Sequence, residues 1–425
     1  MDQRAVRGGC VMSDYVEIVG IAESPGRAGF DPARLRRAYA VIERFVERRE
    51  IPGAVAAVGT SAWMLPPAAF GSASWEPEER PVHAGTIYDC ASLTKVVVTT
   101  TLLLNLVERG RVALGDRVAR WIPELLELAP ERSVGGRPER SVREGITIRH
   151  LLTHTAGFAA WAPLYQGPER GVQQVAGVHE PAGTRVPAGV ERPACAPGPS
   201  GVLEALCRAP LQSEPSTAVV YSCLGFILLG ELIEREEGAP LDRLAEREIF
   251  VPLGMRDSCF NPRPELLPRI APTERKQDGL VHGVVHDENA RARGGVSGNA
   301  GLFSTAGDLG RFAAAALRLR LGRPAPVLSP AAMRAAVQNY TEGLGEPRGL
   351  GWLLRSRTGS SCGDFFSAAS FGHTGFTGTS IWIDPEQDLF VVLLTNRVHP
   401  TRENAAHLRL RPLFHNAVAA ARDFA

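Results

Sequence analysis

The chain has 425 residues and a formal net charge of +1, with 44% hydrophobic and 22% charged residues. That length can bury a large core, as one domain carrying an insertion or as two domains, and the composition is that of a globular protein. Near-neutral charge supplies no electrostatic basis for binding nucleic acid or an anionic membrane. No uninterrupted apolar run approaches the 18 residues of a membrane span. Seven cysteines without a CxxC pair make neither a disulfide framework nor a structural zinc site.

Residues 1 to about 29 show no periodicity and are expected to form a loose leader. Arg4 and Arg7 precede no apolar segment, so a secretory signal is not expected and the predicted location is cytoplasmic. Asp31-Pro32 is a good N-cap and N1 pair, opening a helix with Leu35, Ala38, Ile42, Phe45 and Val46 at helical spacing. Residues 53–58 and 62–70 read as an antiparallel strand pair. From Ser92 the run through Val96-Val97-Val98 and Leu102-Leu103-Leu104 to Val107 is apolar nearly all round, which predicts a buried helix. A serine at its N-terminal end would feel the positive end of the helix dipole.

Residues 167–200 are rich in Gly and Pro and predict a long irregular loop, a candidate lid. An apolar helix follows at 224–234. Ser380-Ile381-Trp382-Ile383, the turn Asp384-Pro385-Glu386-Gln387-Asp388 and the run 389–395 make a hairpin, and 404–424 reads as a closing amphipathic helix. Strands at both ends with helices between predict a mixed α/β (α+β) fold. An antiparallel sheet flanked by helices would use residues 30–155 and 295–425, with a mostly helical insert at 156–294.

Among 47 basic residues only Lys95 and Lys276 are lysine. Arginine supplies charge at any accessible pH, whereas lysine can be driven neutral and accept a proton. Lys276 sits in a polar stretch and reads as a solvated loop residue. Lys95 closes Ser92-Leu93-Thr94-Lys95, which puts a hydroxyl and an amine one helical turn apart on one face.

Two further short motifs follow in order. Tyr221-Ser222-Cys223 leads into a helix, and His373-Thr374-Gly375 precedes a strand. This trio resembles the SxxK, YxN and K/HTG elements of the serine beta-lactamase and penicillin-binding-protein superfamily. Residues 148–158 (IRHLLTHTAGF), 249–255 (IFVPLGM) and 349–352 (GLGW) are similar to flanking segments of its class C beta-lactamase-like branch, which also holds esterases, carboxypeptidases and amidases. The likeness runs from about residue 31 to 420.

The resemblance implies a metal-independent serine hydrolase without cofactor, acting through an acyl-enzyme on a small ester, amide or peptidoglycan-fragment substrate. Ser92 would be the nucleophile, and Lys95 and Tyr221 would share removal of its proton. The backbone N–H groups of Ser92 and Phe376 would form the oxyanion hole. His373, Thr374, Gly375 and Cys223 would bind substrate. Two positions depart from the family pattern. Cys223 stands where asparagine is usual, and a thiol cannot replace an amide that both donates and accepts. His373 stands where lysine often holds a substrate carboxylate, and neutral imidazole weakens that hold. Both departures favour an esterase or amidase over a beta-lactamase.

A narrower likeness covers Ile270-Ala271-Pro272-Thr273-Glu274, Val285-His286-Asp287-Glu288-Asn289-Ala290 and residues 294–305. These resemble a subgroup of cell-wall-recycling N-acetylmuramyl-L-alanine amidases and penicillin-binding-protein-4B-like proteins, with Asn299 in place of its usual histidine. D-Ala-D-Ala carboxypeptidase activity is a parallel alternative. A catalytically dead homologue that binds peptidoglycan fragments is the competing class, with Cys223 as its support. His150 and His154 stand at i, i+4 like the ligands of a zinc-protease helix, but Leu151 occupies the place of the required glutamate. His286-Asp287-Glu288 reads as a hydrogen-bonded loop lining the cleft. Oligomeric state is not legible.

Overall fold

The computed structural model describes residues 18–167 and 198–423. Helix α1 (Pro32–Glu47) starts where the sequence places it: the Asp31 carboxylate accepts the Arg34 N–H at 2.7 Å, and Pro32 occupies the first turn. Its buried residues Leu35, Ala38, Val41, Ile42 and Phe45 form one stripe, the amphipathic pattern that packs a helix on a sheet.

The main sheet has nine strands: β1 (Gly20–Ile21), β2 (Gly53–Gly59), β3 (Trp63–Met64), β4 (Ala68–Ser74), β5 (Arg80–Pro81), β6 (Leu353–Leu354), β7 (Phe371–Thr374), β8 (Ser380–Asp384) and β9 (Leu389–Thr395). Its order is β1-β3-β2-β9-β8-β7-β6, with β4 paired to β2 and β5 to β4. The expected hairpin is β8–β9, in register from Ser380 opposite Leu393 to Asp384 opposite Leu389. Strand β9 then pairs antiparallel with β2, Phe390 opposite Gly59 through Thr395 opposite Ala54, so the two ends of the chain close one sheet.

Side-chain alternation divides the core into two layers. Ala54, Ala56 and Val58 with Trp382, Val391 and Leu393 face α1 and the closing helix α5 (Ala406–Ala419), meeting its Leu410, Phe414 and Val418. Val55, Ala57, Ile381, Ile383, Val392 and Leu394 face the other way, into a core shared with α4 (Ala306–Arg320) and the segment after Ser92. That segment is buried all round, as its composition predicts. Residues Lys95–Thr100 form a π-helical stretch and Thr101–Glu108 continue as helix α2. Such a stretch is rare and frequent at functional sites.

Several boundaries differ from the sequence expectation. The expected strand at 62–70 is two strands, because Pro66 and Pro67 lack the N–H groups that a ladder needs. The leader expected through residue 29 is not loose over its described part. Ile18 and Val19 are buried, and β1 pairs in parallel with β3. A two-residue strand held by a partner forty residues away leaves no periodic signal.

The helical layer also begins earlier than residue 156. Val118, Leu125, Val142 and Leu151 share one core with Val202 and Leu206 of the helix Gly198–Arg208 and with Leu224 and Leu228 of α3 (Cys223–Glu237). That core is continuous with the sheet. Of the expected loop 167–200, residues 168–197 lie outside the described residues, and 198–200 open the helix. No helix among the described residues is long and apolar enough to cross a membrane.

Candidate active site

The loop before the π-helical stretch is held under local strain. Ala91 has φ +46°, a left-handed backbone that a residue with a Cβ adopts at a cost. The buried carboxylate of Asp89 fixes it, accepting the Ala91 N–H at 2.8 Å and the His286 N–H at 2.7 Å. Ser92 follows at the mouth of the helix.

Lys95 is fully buried, and its Nζ donates to Ser92 Oγ at 2.9 Å, to the Asn299 carbonyl at 3.2 Å and to Cys223 Sγ at 3.4 Å. An ammonium has three donors, and all three have acceptors here. Burial works against its charge, but Cys223, Tyr221 and Asp287 outweigh it and the net direction is upward. Tyr221 lies beside it, with Nζ 4.9 Å from the ring centroid. Burial pushes the phenol up, while Lys95 and Ser92 pull it back. Cys223 is raised by burial and opposed by Lys95. At neutral pH the cluster therefore holds an ammonium, a phenol and a thiol.

Helix α3 places Tyr221 and Cys223. Its N-cap, Ser222, accepts the Gly225 N–H through Oγ and donates to the Ala159 carbonyl at 2.7 Å. The Ser222 N–H donates in turn to His154 Nδ1 at 3.0 Å. His154 has φ +58°, packs tilted against the Tyr221 ring with centroids 4.7 Å apart, and is held well below the ordinary imidazole range by burial and by the Arg348 charge. The sequence presented His154 within the 148–158 segment and, with His150, as an i, i+4 pair lacking the glutamate of a zinc-protease helix. In the structure the short helix Ile148–Leu152 ends before it, and His150 is instead a capping residue, its Nδ1 accepting the Thr147 N–H at 3.1 Å. Among the described residues no group of three or more His, Cys, Asp and Glu could hold a metal ion.

On the opposite wall, β7 carries His373, whose Nδ1 must be the protonated nitrogen because it contacts the Thr374 carbonyl at 2.9 Å. Burial, then the Lys95 and Arg348 charges, press its pKa well below the ordinary range, so the ring is neutral. Arg348 completes this side, its guanidinium 5.2 Å from the Tyr221 ring centroid and ion-paired to Glu346. No sequence motif had marked Arg348, and Asn299 had entered only as a departure from the subgroup's histidine.

The turn after His373 and Thr374 runs against the loop before Ser92. A Cβ on Gly375 would lie 2.5 Å from the Cys90 carbonyl and 2.0 Å from Thr379 Oγ1, so only glycine allows that approach. Thr377 and Thr379 donate to the carbonyls of Asp89 and Cys90 at 2.7 and 3.0 Å. The structure thus brings Ser92, Lys95, Tyr221, Cys223, His373 and Gly375 together around one site, with Thr374 between the last two. The main-chain N–H groups of Ala91, Leu93, Thr94 and Lys95 all have acceptors, whereas those of Ser92 and Phe376 have none among the described residues. The half-exposed Phe376 ring stacks on His286. His286 and Glu288 belong to a charge network with Glu274, Arg402 and Lys276, and Asp287 caps the helix Glu288–Ala292.

A sandwich of this topology with a serine–lysine–tyrosine cluster at its helix–sheet junction defines a class of acyl-transferring serine hydrolases. The family model described as Beta-lactamase matches residues 39–415, and the chain belongs to that family of serine hydrolases. It is 32% identical over 346 residues to a protein of Escherichia coli (strain K12) named "Putative D-alanyl-D-alanine carboxypeptidase", covering 76% of this chain and 72% of the relative. Among solved structures it resembles EstCE1, a hydrolase with promiscuous acyltransferase activity, at a TM-score of 0.68 and 22% identity, covering 91% of this chain and 99% of that one. The penicillin-binding protein homologue from Pyrococcus abyssi matches at 0.64 and 20%, covering 92% and 78%. At these identities the structural matches speak to the fold.

Proposed function

We propose that Ser92 is the nucleophile of an acyl-enzyme mechanism, with Lys95 and Tyr221 sharing its proton. The single observation that carries this is the 2.9 Å contact from the buried Lys95 Nζ to Ser92 Oγ, in a cluster that also contains the Tyr221 phenol. From the form in which Lys95 is a neutral amine, the Ser92 oxygen attacks the carbonyl carbon of an ester or amide while its proton passes to the lysine–tyrosine pair and comes to rest on Lys95 Nζ. The carbonyl oxygen becomes an oxyanion, for which the free N–H groups of Ser92 and Phe376 are the donors. Collapse expels the alcohol or amine, which takes the proton back, and leaves an acyl ester on Ser92. Tyr221 then activates water to release the acid.

The same reading makes His373, Thr374, Gly375 and Cys223 the substrate-binding wall. A neutral His373 and a thiol at Cys223 give little hold on a carboxylate and no amide donor, which favours small uncharged esters or amides. D-Ala-D-Ala carboxypeptidase activity is the second reading, favoured by the names of relatives near 30% identity and by the buried Arg348 cation beside Tyr221. A muramyl-L-alanine amide is the remaining peptidoglycan-fragment substrate to be tested. A cytoplasmic location goes with this reading, supported by the free cysteines Cys90, Cys207, Cys223, Cys259 and Cys362.

Fluorophosphonate labelling followed by peptide mapping tests the assignment. Wild type is expected to be labelled on Ser92, and Ser92→Ala to lose labelling and turnover while keeping its thermal midpoint. Labelling that persists in Ser92→Ala would refute the nucleophile, and an unlabelled wild type would support a non-catalytic binding protein. A panel of short-chain esters, nitrocefin, D-Ala-D-Ala peptides and muramyl-L-alanine peptides assigns the substrate.

A further inference from the structure

Two buried arginines stand apart from the reacting groups. Arg411 lies on α5 and Arg397 just beyond β9, and among the described residues neither makes an ion pair. Burial disfavours the charge of both, Arg397 adding to the effect on Arg411 and Arg402 to that on Arg397. A buried cation without an anion is costly, so the groups its donors hold are informative.

Every hydrogen bond from these guanidinium groups goes to a main-chain carbonyl. Arg411 Nη2 donates to Gly375 O at 3.1 Å and Thr379 O at 2.7 Å. Arg397 Nε donates to Phe376 O at 2.7 Å, and its Nη1 to Arg402 O at 2.5 Å and Asn404 O at 2.8 Å. Gly375 O also accepts the Gly378 N–H at 3.1 Å, and Thr379 O the Gly375 N–H at 2.7 Å. The two arginines thus converge on the turn that carries Phe376.

A trans peptide group is planar, with its C=O and N–H directed to opposite sides. Gly375 O and the Phe376 N–H are the two ends of one such group. Drawing the oxygen toward Arg411 turns the N–H the other way, and that N–H has no acceptor among the described residues. Arg397 anchors the next peptide group through Phe376 O and also lies 4.3 Å from the Phe376 ring centroid. Phe376 is therefore fixed on both flanks although its side chain is partly exposed. A cation on the carbonyl oxygen also polarises the same peptide and strengthens its N–H as a donor.

We propose that Arg411, seconded by Arg397, is a positioning residue that presets the Phe376 N–H as an oxyanion donor. This rests on the oxyanion-hole reading given above. Its effect belongs to the transition state, where charge reaches the carbonyl oxygen, and not to substrate binding.

The test compares wild type, Arg411→Lys and Arg411→Ala on p-nitrophenyl acetate and in binding phenylboronic acid, which forms a tetrahedral anion on the serine. Thermal midpoints and fluorophosphonate end-point labelling are measured alongside. Arg411→Lys keeps the charge but not the fork of donors, so kcat should fall about 10- to 100-fold with KM nearly unchanged. Boronate affinity should fall in parallel while labelling of Ser92 still reaches completion. Methylguanidinium should restore part of the kcat of Arg411→Ala. A folded Arg411→Lys with wild-type kcat and boronate affinity overturns the proposal, as does an activity loss that merely follows the fraction unfolded. If Arg411→Ala does not fold, the lysine variant decides alone. An unlabelled wild-type Ser92 would instead refute the underlying catalytic reading.

Discussion

The Lys95 ammonium and the Cys223 thiol lie 3.4 Å apart, so the position that would usually carry an asparagine amide contacts the Ser92–Lys95–Tyr221 cluster through sulfur. The thiol accepts from the lysine but offers a substrate almost nothing. On the opposite wall the neutral His373 ring supplies no charge. An activated ester needs mainly the nucleophile and two N–H donors, whereas a beta-lactam or D-Ala-D-Ala peptide needs its amide and carboxylate held as well.

Wild type is accordingly expected to hydrolyse p-nitrophenyl esters well and nitrocefin poorly. The double variant Cys223→Asn, His373→Lys should raise nitrocefin acylation relative to ester turnover by about 10- to 100-fold, the worth of one charge-assisted contact of roughly 1.5–3 kcal/mol. Efficient nitrocefin turnover by wild type, or an unchanged ratio in the double variant, would remove these two positions from the account of specificity.

The upward direction of the Lys95 pKa predicts an alkaline rise in activity. Cys223, Tyr221 and Asp287 overcome burial and hold the proton on, so the neutral amine is scarce at pH 7. Raising the pH frees it, and log kcat/KM should climb with a slope near one until the pH passes the lysine pKa. Cys223→Ala removes an acceptor of the Lys95 ammonium, the sulfur 3.4 Å from Nζ, and should move that limb to lower pH. Lys95→Arg, which keeps the charge but cannot release the proton, should lose several orders of magnitude in kcat/KM. Near-wild-type turnover in Lys95→Arg would reduce the residue to an electrostatic anchor.

Buried imidazoles predict acid lability. His415 is wholly buried, its Nδ1 contacts the Ser361 carbonyl at 2.8 Å, and burial pushes its pKa down to about 4. The unfolded chain binds this proton at about pH 6.5 and the folded chain does not. The stability is therefore present above pH 6.5 and lost as pH falls toward 4, by about 1.4 kcal/mol per pH unit per group. His154 and His373 act in the same direction. Urea unfolding between pH 7 and 4.5 should show this decline, and His415→Gln should make it shallower. A variant with the same slope as wild type would show that His415 does not contribute.

The fully buried pair Glu139–Arg143 predicts a strong stability effect in the helical layer. Arg143 Nη2 and Nε donate to Glu139 Oε1 at 2.5 and 2.9 Å, further donors go to the carbonyls of Leu125, Cys207 and Ala209, and Glu139 also accepts the Leu211 N–H at 3.0 Å. Arg143→Ala leaves the buried Glu139 carboxylate with only the half-exposed Arg132, at 3.4 Å, and the Leu211 N–H, and should cost about 3–5 kcal/mol in denaturant unfolding. Replacing both residues by apolar ones should cost less than the single change, and the reverse order would contradict the ion-pair account.

What the sequence determined by itself is local chemistry and periodicity. The single conspicuous lysine three residues after Ser92, the Asp31 cap, the alternating strands about Asp384–Asp388 and the order of three short motifs are written in consecutive residues, so class, sheet and the proposed nucleophile were legible. Tertiary structure decided what depends on contacts between distant segments. The parallel pairing of β1 with β3, the Asn299 carbonyl on Lys95, His154 beneath Tyr221 and Arg411 on the Gly375 peptide join residues tens to hundreds of positions apart. No spacing rule encodes such contacts. A carbonyl has no side-chain signature, and an arginine among 47 basic residues looks like any other until the fold buries it without an acid.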